Sequence, residues 1–444
     1  MAHLRPRYHL TRLFSAALPC FLVAPAAAAE EAASLNPADT AWMLISTAMV
    51  LFMTPGLALF YGGMVRRKNV LGTMVHSFFA MALVPVLWMA VGYSLAFGTD
   101  LGGFGLVGGV DYLFLRGITP DNLNGTIPTL VFVCFQAMFA VITPALIAGA
   151  YAERIRFPAY VLFTGLWLLL VYAPICHWVW GAGGWLFERG ALDFAGGTVV
   201  HMSSGFSALA FAIVLGRRKG LGSVSMAPHN LTLTLLGAGM LWFGWFGFNA
   251  GSALAANQTA ALAFLTTFLA PAAAGLSWAA VEWLRTGKPT ALGISSGLVA
   301  GMVVITPAAG FVGPGSAVVI GLIGGAVCYS GVLLKGRFHY DDALDAFGVH
   351  GVGGMVGALL TGVFASWPGW GKPVQSLLFH TDTGAAWHQF GIQFVSVVAT
   401  AAYSVVATLG ILLVVKAVVG LRLEEQEELE GLDLSQHGEA SYTF

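Results

Sequence analysis

Two short segments carry the residues whose types and spacing could do chemistry: DFAGGTVVHMSSG at 193–205 and DAFGVHGVGGMVG at 345–357. Each opens on an aspartate, passes an aromatic residue and glycine, reaches a histidine and continues into small residues. An imidazole titrates near neutral pH and offers one donor and one acceptor. Two of them side by side can hold a small hydrogen-bonding solute or relay a proton. A lone buried histidine is ordinarily a satisfied structural residue. Two at matched positions in an apolar chain are better read as lining a path, because ionisable groups in hydrocarbon are costly and mark function. His201 and His350 are therefore the candidate pathway residues. Aspartate ahead of a helix is a preferred cap for the orphan N–H groups of the first turn. Asp193 and Asp345 accordingly read as structural, orienting groups, with proton handling by Asp193 as the alternative.

The surrounding chain is oily. It has 444 residues, 57% hydrophobic and 9% charged, with a mean hydropathy of +0.80. Soluble domains carry about 25% charged residues, so the composition predicts an all-α polytopic membrane protein. The net charge of −1 points to no nucleic-acid partner. Cys20, Cys134, Cys176 and Cys328 lie in apolar stretches without CxxC pairs, and read as small buried core residues rather than a disulfide framework or zinc site. No nucleophile–base set or nucleotide loop stands out, so neither an enzyme nor a cofactor is expected.

Residues 1–29 have the form of a cleaved signal peptide: Arg5, Arg7 and Arg12, a short apolar core, then small residues at Ala27 and Ala29 before Glu30. The membrane domain follows over 30–420 and a cytoplasmic C-terminal tail over 421–444. Eleven apolar stretches are long enough to span a bilayer, at about 39–61, 70–97, 127–151, 158–180, 197–215, 229–249, 256–281, 292–309, 315–334, 347–366 and 391–419. With the N-terminus outside, fourteen of the twenty Lys and Arg fall on the inner side, from Arg66 to Arg422. Only Arg116, Arg189 and Lys372 fall outside, so charge bias predicts N-out, C-in.

Span five is entered from outside and span ten from inside, so the two histidine segments are equivalent members of two inverted five-helix repeats, followed by a final long helix. Transporters built this way place their pathway at the repeat interface. At 1.5 Å per residue each histidine sits about 8–12 Å inside opposite faces of a ~30 Å core. Tilt could bring them together near the middle. Glycine-rich runs such as GLIGGAV and GVGGMVGALLTG suit the close helix packing this requires.

Several longer segments resemble the ammonium transporter (Amt) family: DFAGGTVVH (193–201), GWFGFNAGSA (244–253), ALDAFGVHGVGG (343–354), GLALFYGGMVRRKNV (56–70) and AERIRFPAY (152–160). The tail GLRLEEQEELEGLDLSQHGE (420–439) is similar to the family's C-terminal signature. The likeness runs from about residue 39 to 440. It implies an eleven-helix protomer, a homotrimer, and one pore through each protomer. Trp180, Phe135, Phe139 and Ser252 match the family's outer ammonium recruitment site, Phe139 and Phe248 its stacked phenyl gate, and Trp245, His201 and His350 its pore lining. Aromatic faces attract a small cation at about 0.5–2 kcal/mol each, and a serine hydroxyl adds an acceptor that ammonium can use and potassium cannot donate to. Beyond the gate, dry walls disfavour charge, so ammonia is expected to pass as the neutral molecule while its proton moves separately. Methylammonium is a further candidate solute.

The tail is acidic and faces basic loops at 66–68, 154–156 and 217–219, which makes docking across the inner surface a natural expectation. The resemblance further implies a PII-type regulatory protein at that face, in a bacterial inner membrane. Three rivals stand beside ammonium transport. A metal transporter would need a denser acid and His/Met ligand set than any span holds. An Rh-like neutral gas channel shares the twin histidines, although Trp180 and GWFGFNAGSA look like Amt. An ammonium sensor would be expected to carry a signalling domain after its last span.

Overall fold

The computed structural model describes residues 34–371 and 374–442; the signal-peptide segment 1–29 lies outside them. Ten helices are long and apolar enough to cross a membrane among the described residues. They are α1 (Pro37–Met64), α2 (Arg67–Phe97), α3 (Thr129–Tyr151), α4 (157–180), α5 (Gly197–Leu215), α6 (Leu231–Gly251), α7 (Gln258–Thr286), α9 (Pro314–Phe338), α10 (Phe347–Phe364) and α11 (Thr383–Val419). An eleventh apolar helix, α8 (Ala291–Ile305), has 15 residues. The only strands among the described residues are the two-residue pair Leu123–Asn124 and Ile127–Pro128. Large apolar side chains such as Phe52, Phe243, Phe268, Val406 and Leu413 are exposed on the helix surfaces. Together with the apolar spans they make this a multi-pass membrane protein.

Among the boundaries that depart from expectation, two have a clear physical cause. The eighth stretch, expected helical over 292–309, is helix only to Ile305, because Pro307 has no N–H to give to Val303 and the Thr306 hydroxyl bonds back to the Met302 carbonyl at 2.7 Å. At about 22 Å it falls short of a ~30 Å core, and the buried turn 306–312 carries the chain onward. The last helix starts earlier than expected, at Thr383, where the Asp382 carboxylate accepts from the Ala385 N–H at 3.0 Å. Cys176 and Cys328 are buried as expected, but Cys134 is exposed on the outer side of α3, where an apolar thiol meets no penalty in lipid.

The two sets of five helices use the same packing partners: α1 meets α3 as α6 meets α8, α3 meets α5 as α8 meets α10, and α2 meets α4 as α7 meets α9. α1 packs on its counterpart α6 and α5 on α10, while α11 runs along α4, α5 and α10. The α5–α10 crossing positions the histidines, and glycines make it possible. A Cβ on Gly205 would sit 2.1 Å from the Gly351 backbone nitrogen. One on Gly354 would lie 2.6 Å from the Gly197 carbonyl. Gly205→Val should therefore force the two helices apart. Overpacking costs about 1–3 kcal/mol or more; here backbone meets backbone, so purified Gly205→Val is expected to lose folded yield and melt at least 10 °C lower by fluorescence.

Both histidines sit in a π-helical first turn, Gly197–Met202 in α5 and Phe347–Gly351 in α10. Such wide turns concentrate at functional sites, because they re-aim side chains out of the regular helical order. Asp193 caps the first. One carboxylate oxygen accepts from the N–H groups of Gly196 (2.8 Å) and Gly197 (2.6 Å). The other accepts from the Thr198 and Val199 N–H groups (2.7 and 3.3 Å) and from the Thr198 hydroxyl. For α10 the capping residue is not Asp345 but Asp342, which accepts from the Phe347 N–H at 2.8 Å. Asp345 is left-handed at φ 63 and turns its carboxylate instead to Lys335. Its partner is thus a lysine of α9 rather than the N–H groups of the α10 start.

The acidic tail is not a solvated end. Two short turns, α12 (Glu425–Glu430) and α13 (Leu432–His437), lie on the three basic loops. Arg422 bonds Glu428 at 2.8 Å and the carbonyls of Leu215 and Arg217 at 3.0 and 2.8 Å. Asp433 accepts from the Gly72 N–H at 2.9 Å, and the Leu432 N–H donates to Asn69 at 2.9 Å. Beneath the tail lies an ion-pair hub that the sequence did not reveal. Glu153 meets Arg66 at 2.6 Å and Arg218 at 3.6 Å, and Asp341 meets Arg218 at 2.9 Å. Burial alone would raise the Glu153 and Asp341 carboxyls, yet hydrogen bonds from Arg66 and Arg218 hold them below the usual carboxylate range.

Candidate functional site

On the face opposite the tail, a cavity of about 680 Å³ opens between α3, α4 and the loops after α6 and α10. Its walls include Phe132, Gln136, Trp180, Phe194, Ser252 and Trp370. Trp180 is fixed by its indole N–H, which donates to the Asp193 carbonyl at 2.9 Å. The Asp193 side chain thus shapes the histidine turn while its backbone holds the aromatic wall. Ser252 donates its hydroxyl to the Phe248 carbonyl at 2.8 Å, which leaves its oxygen lone pairs for a solute. The Ser252 carbonyl in turn receives the Trp370 indole N–H at 2.8 Å.

Behind the Trp180 wall of the cavity lies an aromatic layer. Phe139 and Phe248 stack at 4.1 Å between centroids and 26° between planes. Trp180 meets Phe139 edge-on at 5.8 Å and 89°. Phe135 is fully buried and backs Phe139 at 4.9 Å, against Gly251. It is not among the cavity walls; Gln136, the next residue of α3, is. Positions 132, 135, 136 and 139 follow helical i, i+3, i+4, i+7 spacing, so the face carrying Phe139 could have flagged Phe132 and Gln136. Trp370 gives no such signal, since it reaches the site from the loop between α10 and α11.

Beyond Phe248 lies the histidine pair. His201 stacks on Phe248 at 6.0 Å and on Trp245 at 5.3 Å and 21°. Trp245 donates its indole N–H to the Thr306 hydroxyl at 2.9 Å, so the irregular end of α8 sets its angle. His201 and His350 face each other through their Nδ1 atoms at 3.3 Å, with rings 24° apart. A neutral pair can make this bond only if one Nδ1 carries hydrogen and the other does not. The Nε2 atoms must then be of opposite kind, one acceptor and one donor. His201 Nε2 is buried and has no protein partner. Both rings are almost fully buried, at 1% and 3% exposure, so a molecule at their Nε2 edges has left water behind. On the tail side a narrow space continues past His350, Val349, Leu344, Asp345, Ser296 and Tyr61.

A helical membrane body, with an aromatic mouth on one face and a dry histidine-lined interior beneath it, defines a transport protein for a small polar solute. Residues 41–442 match the model of the Ammonium Transporter Family. The chain is 52% identical over 415 residues to an ammonium transporter of Aquifex aeolicus, covering 93% of this chain and 95% of the relative. It is 50% identical over 411 residues to one of Bacillus subtilis, covering 91% and 98%. The crystal structure of Mep2 from Candida albicans superposes with a TM-score of 0.82 at 37% identity, covering 89% of this chain and 88% of that one. The chain belongs to the ammonium transporter family, and its role is transport rather than catalysis.

Proposed function

We propose that this protein carries ammonium across a bacterial inner membrane by recruiting the cation at the aromatic mouth and passing ammonia and a proton separately through the interior. The observation that carries the reading is the stacked Phe139–Phe248 pair, which stands between Trp180 and a Nδ1-linked histidine pair. Magnitudes favour deprotonation. Cation–π contacts with Trp180 and Phe139 contribute about 0.5–2 kcal/mol each, enough to concentrate ammonium where water still reaches it. Full dehydration of an ion costs several kcal/mol even in a relaxed protein, and the two carboxylates nearest the histidine turns are already engaged, Asp193 by its own turn and Asp345 by Lys335. A neutral ammonia avoids that cost. It accepts from one Nε2–H, donates to the other Nε2, and leaves toward Asp345 and Tyr61.

The same reading has the mouth outside and the tail inside, three such protomers in a homotrimer, and a PII-type regulatory protein at the tail face. Support comes from family membership and from the tail docked over the basic loops. A neutral gas channel would use the same path without charge, and a sensor would bind at the mouth without turnover. Ser252 tests the mouth. Losing one acceptor for the cation costs about 1 kcal/mol. Ser252→Ala is therefore expected to raise the half-saturating ammonium concentration about fivefold while leaving the maximal current unchanged, measured with purified protein in liposomes. An unchanged half-saturation would place recruitment elsewhere.

A further inference from the structure

The capping carboxylates of α5 and α10 do equivalent jobs with different equipment. Asp193 has both oxygens engaged by five donors. Asp342 is 1% exposed, spends one oxygen on the Phe347 N–H, and leaves Oδ1 buried without a partner. The groups facing it are Asp345 and Lys335, which are paired with each other, Tyr61 from α1, Tyr340 on its own loop, and Arg218, which is engaged by Asp341 and Glu153; of these, Asp345 and Tyr61 line the space beyond His350. The neighbouring Asp341 is held by Arg218 and Arg154. Two carboxylates thus share one lysine, and that lysine is bound to the other carboxylate and to the Asp342 carbonyl (3.4 Å). A buried carboxylate oxygen without a hydrogen-bond donor is expensive. A proton on Oδ1 removes the cost.

We infer that Asp342 is the proton donor on the tail side of the pathway, returning a proton to ammonia that has passed His350. This assignment rests on the function proposed above. In the step, the Oδ1–H bond breaks, the ammonia lone pair takes the proton to form ammonium, and the carboxylate left behind is reloaded by the proton moving through the pore. Ammonia is a stronger base than a carboxylate, so the transfer runs downhill. Burial, with the Asp345 charge second, pushes the Asp342 carboxyl up to about 6, which lets it hold and release a proton at working pH. The device is asymmetric. The saturated Asp193 at the mouth has no free oxygen to load, whereas Asp342 has one.

Asp342→Asn separates capping from proton donation, because the amide oxygen can still accept from the Phe347 N–H while the side chain carries no titratable proton. Expected in liposomes, on an ammonium pulse, is a current reduced at least tenfold with unchanged melting temperature, accompanied by lumenal alkalinisation as ammonia arrives unprotonated. Asp342→Glu should recover most of the current and shift its pH profile. A current in Asp342→Asn equal to wild type overturns the assignment while leaving the proposed function standing. Loss of current together with alkalinisation, unrelieved in Asp342→Glu, also overturns it and leaves Asp342 a cap. A wild type without current removes the proposed function itself, and the assignment with it.

Discussion

Replacing His201 and His350 together with alanine is expected to cut ammonium-evoked current at least a hundredfold while leaving a folded protein. The pair supplies the acceptor and the donor that a dehydrated ammonia needs. A polar molecule left unpaired in a dry site costs about 1–3 kcal/mol per missing bond, and every 1.4 kcal/mol is tenfold. Two lost partners therefore amount to roughly two decades or more. The proton relay is removed in the same stroke. Stability should suffer less, because the rings bond mainly to each other (3.3 Å) and deleting both leaves no orphan behind. A single substitution is the harsher change per residue, since the surviving imidazole keeps an unmatched Nδ1. The check is current on a solid-supported membrane beside a melting curve in detergent. A double variant that conducts like wild type would remove the histidines from the pathway.

Asp193→Ala carries the second large effect, of a different kind. Its carboxylate satisfies four backbone N–H groups and one hydroxyl at the start of α5, in a site with 1% exposure. Alanine leaves all five donors buried without an acceptor. At about 1–3 kcal/mol each, and allowing for non-additivity and water entry, a loss of about 5 kcal/mol or more is expected. That is the whole stability of many domains. The π turn that aims His201 should collapse with it, and so should the Trp180 anchor on the Asp193 carbonyl. Low folded yield and a melting transition lowered by tens of degrees are the expected observations. Asp193→Asn keeps one oxygen and should lie between alanine and wild type in melting temperature, with current following folded protein. A stable Asp193→Asn with no current would instead make the carboxylate a proton carrier.

Much of this was legible in the chain because long motifs and membrane constraints act together. Apolar length gave the helices, glycine-rich runs gave close helix packing, and the repeated Asp-to-His pattern gave the pair that meets at 3.3 Å. The resemblance to family motifs singled out Trp180 and Ser252, which line one cavity. Contacts decided by tertiary geometry were not legible. Which aspartate caps α10 depends on the left-handed φ of Asp345, which no pattern announces. Phe135 and Gln136 are adjacent, and only the rotation of α3 puts the amide rather than the phenyl ring on the cavity wall. Glu153 and Asp341 look like ordinary loop acids until the tail covers them.

The most direct measurement of the central claim is the ratio of charge to nitrogen moved by the wild type, taken from integrated current and lumenal ammonium on one liposome preparation. Separate passage of ammonia and its proton, recombining inside, predicts one charge for each nitrogen and a lumen whose pH stays nearly constant. Nitrogen delivered with no charge, and a lumen turning alkaline at the same rate, would contradict it and leave a neutral ammonia channel.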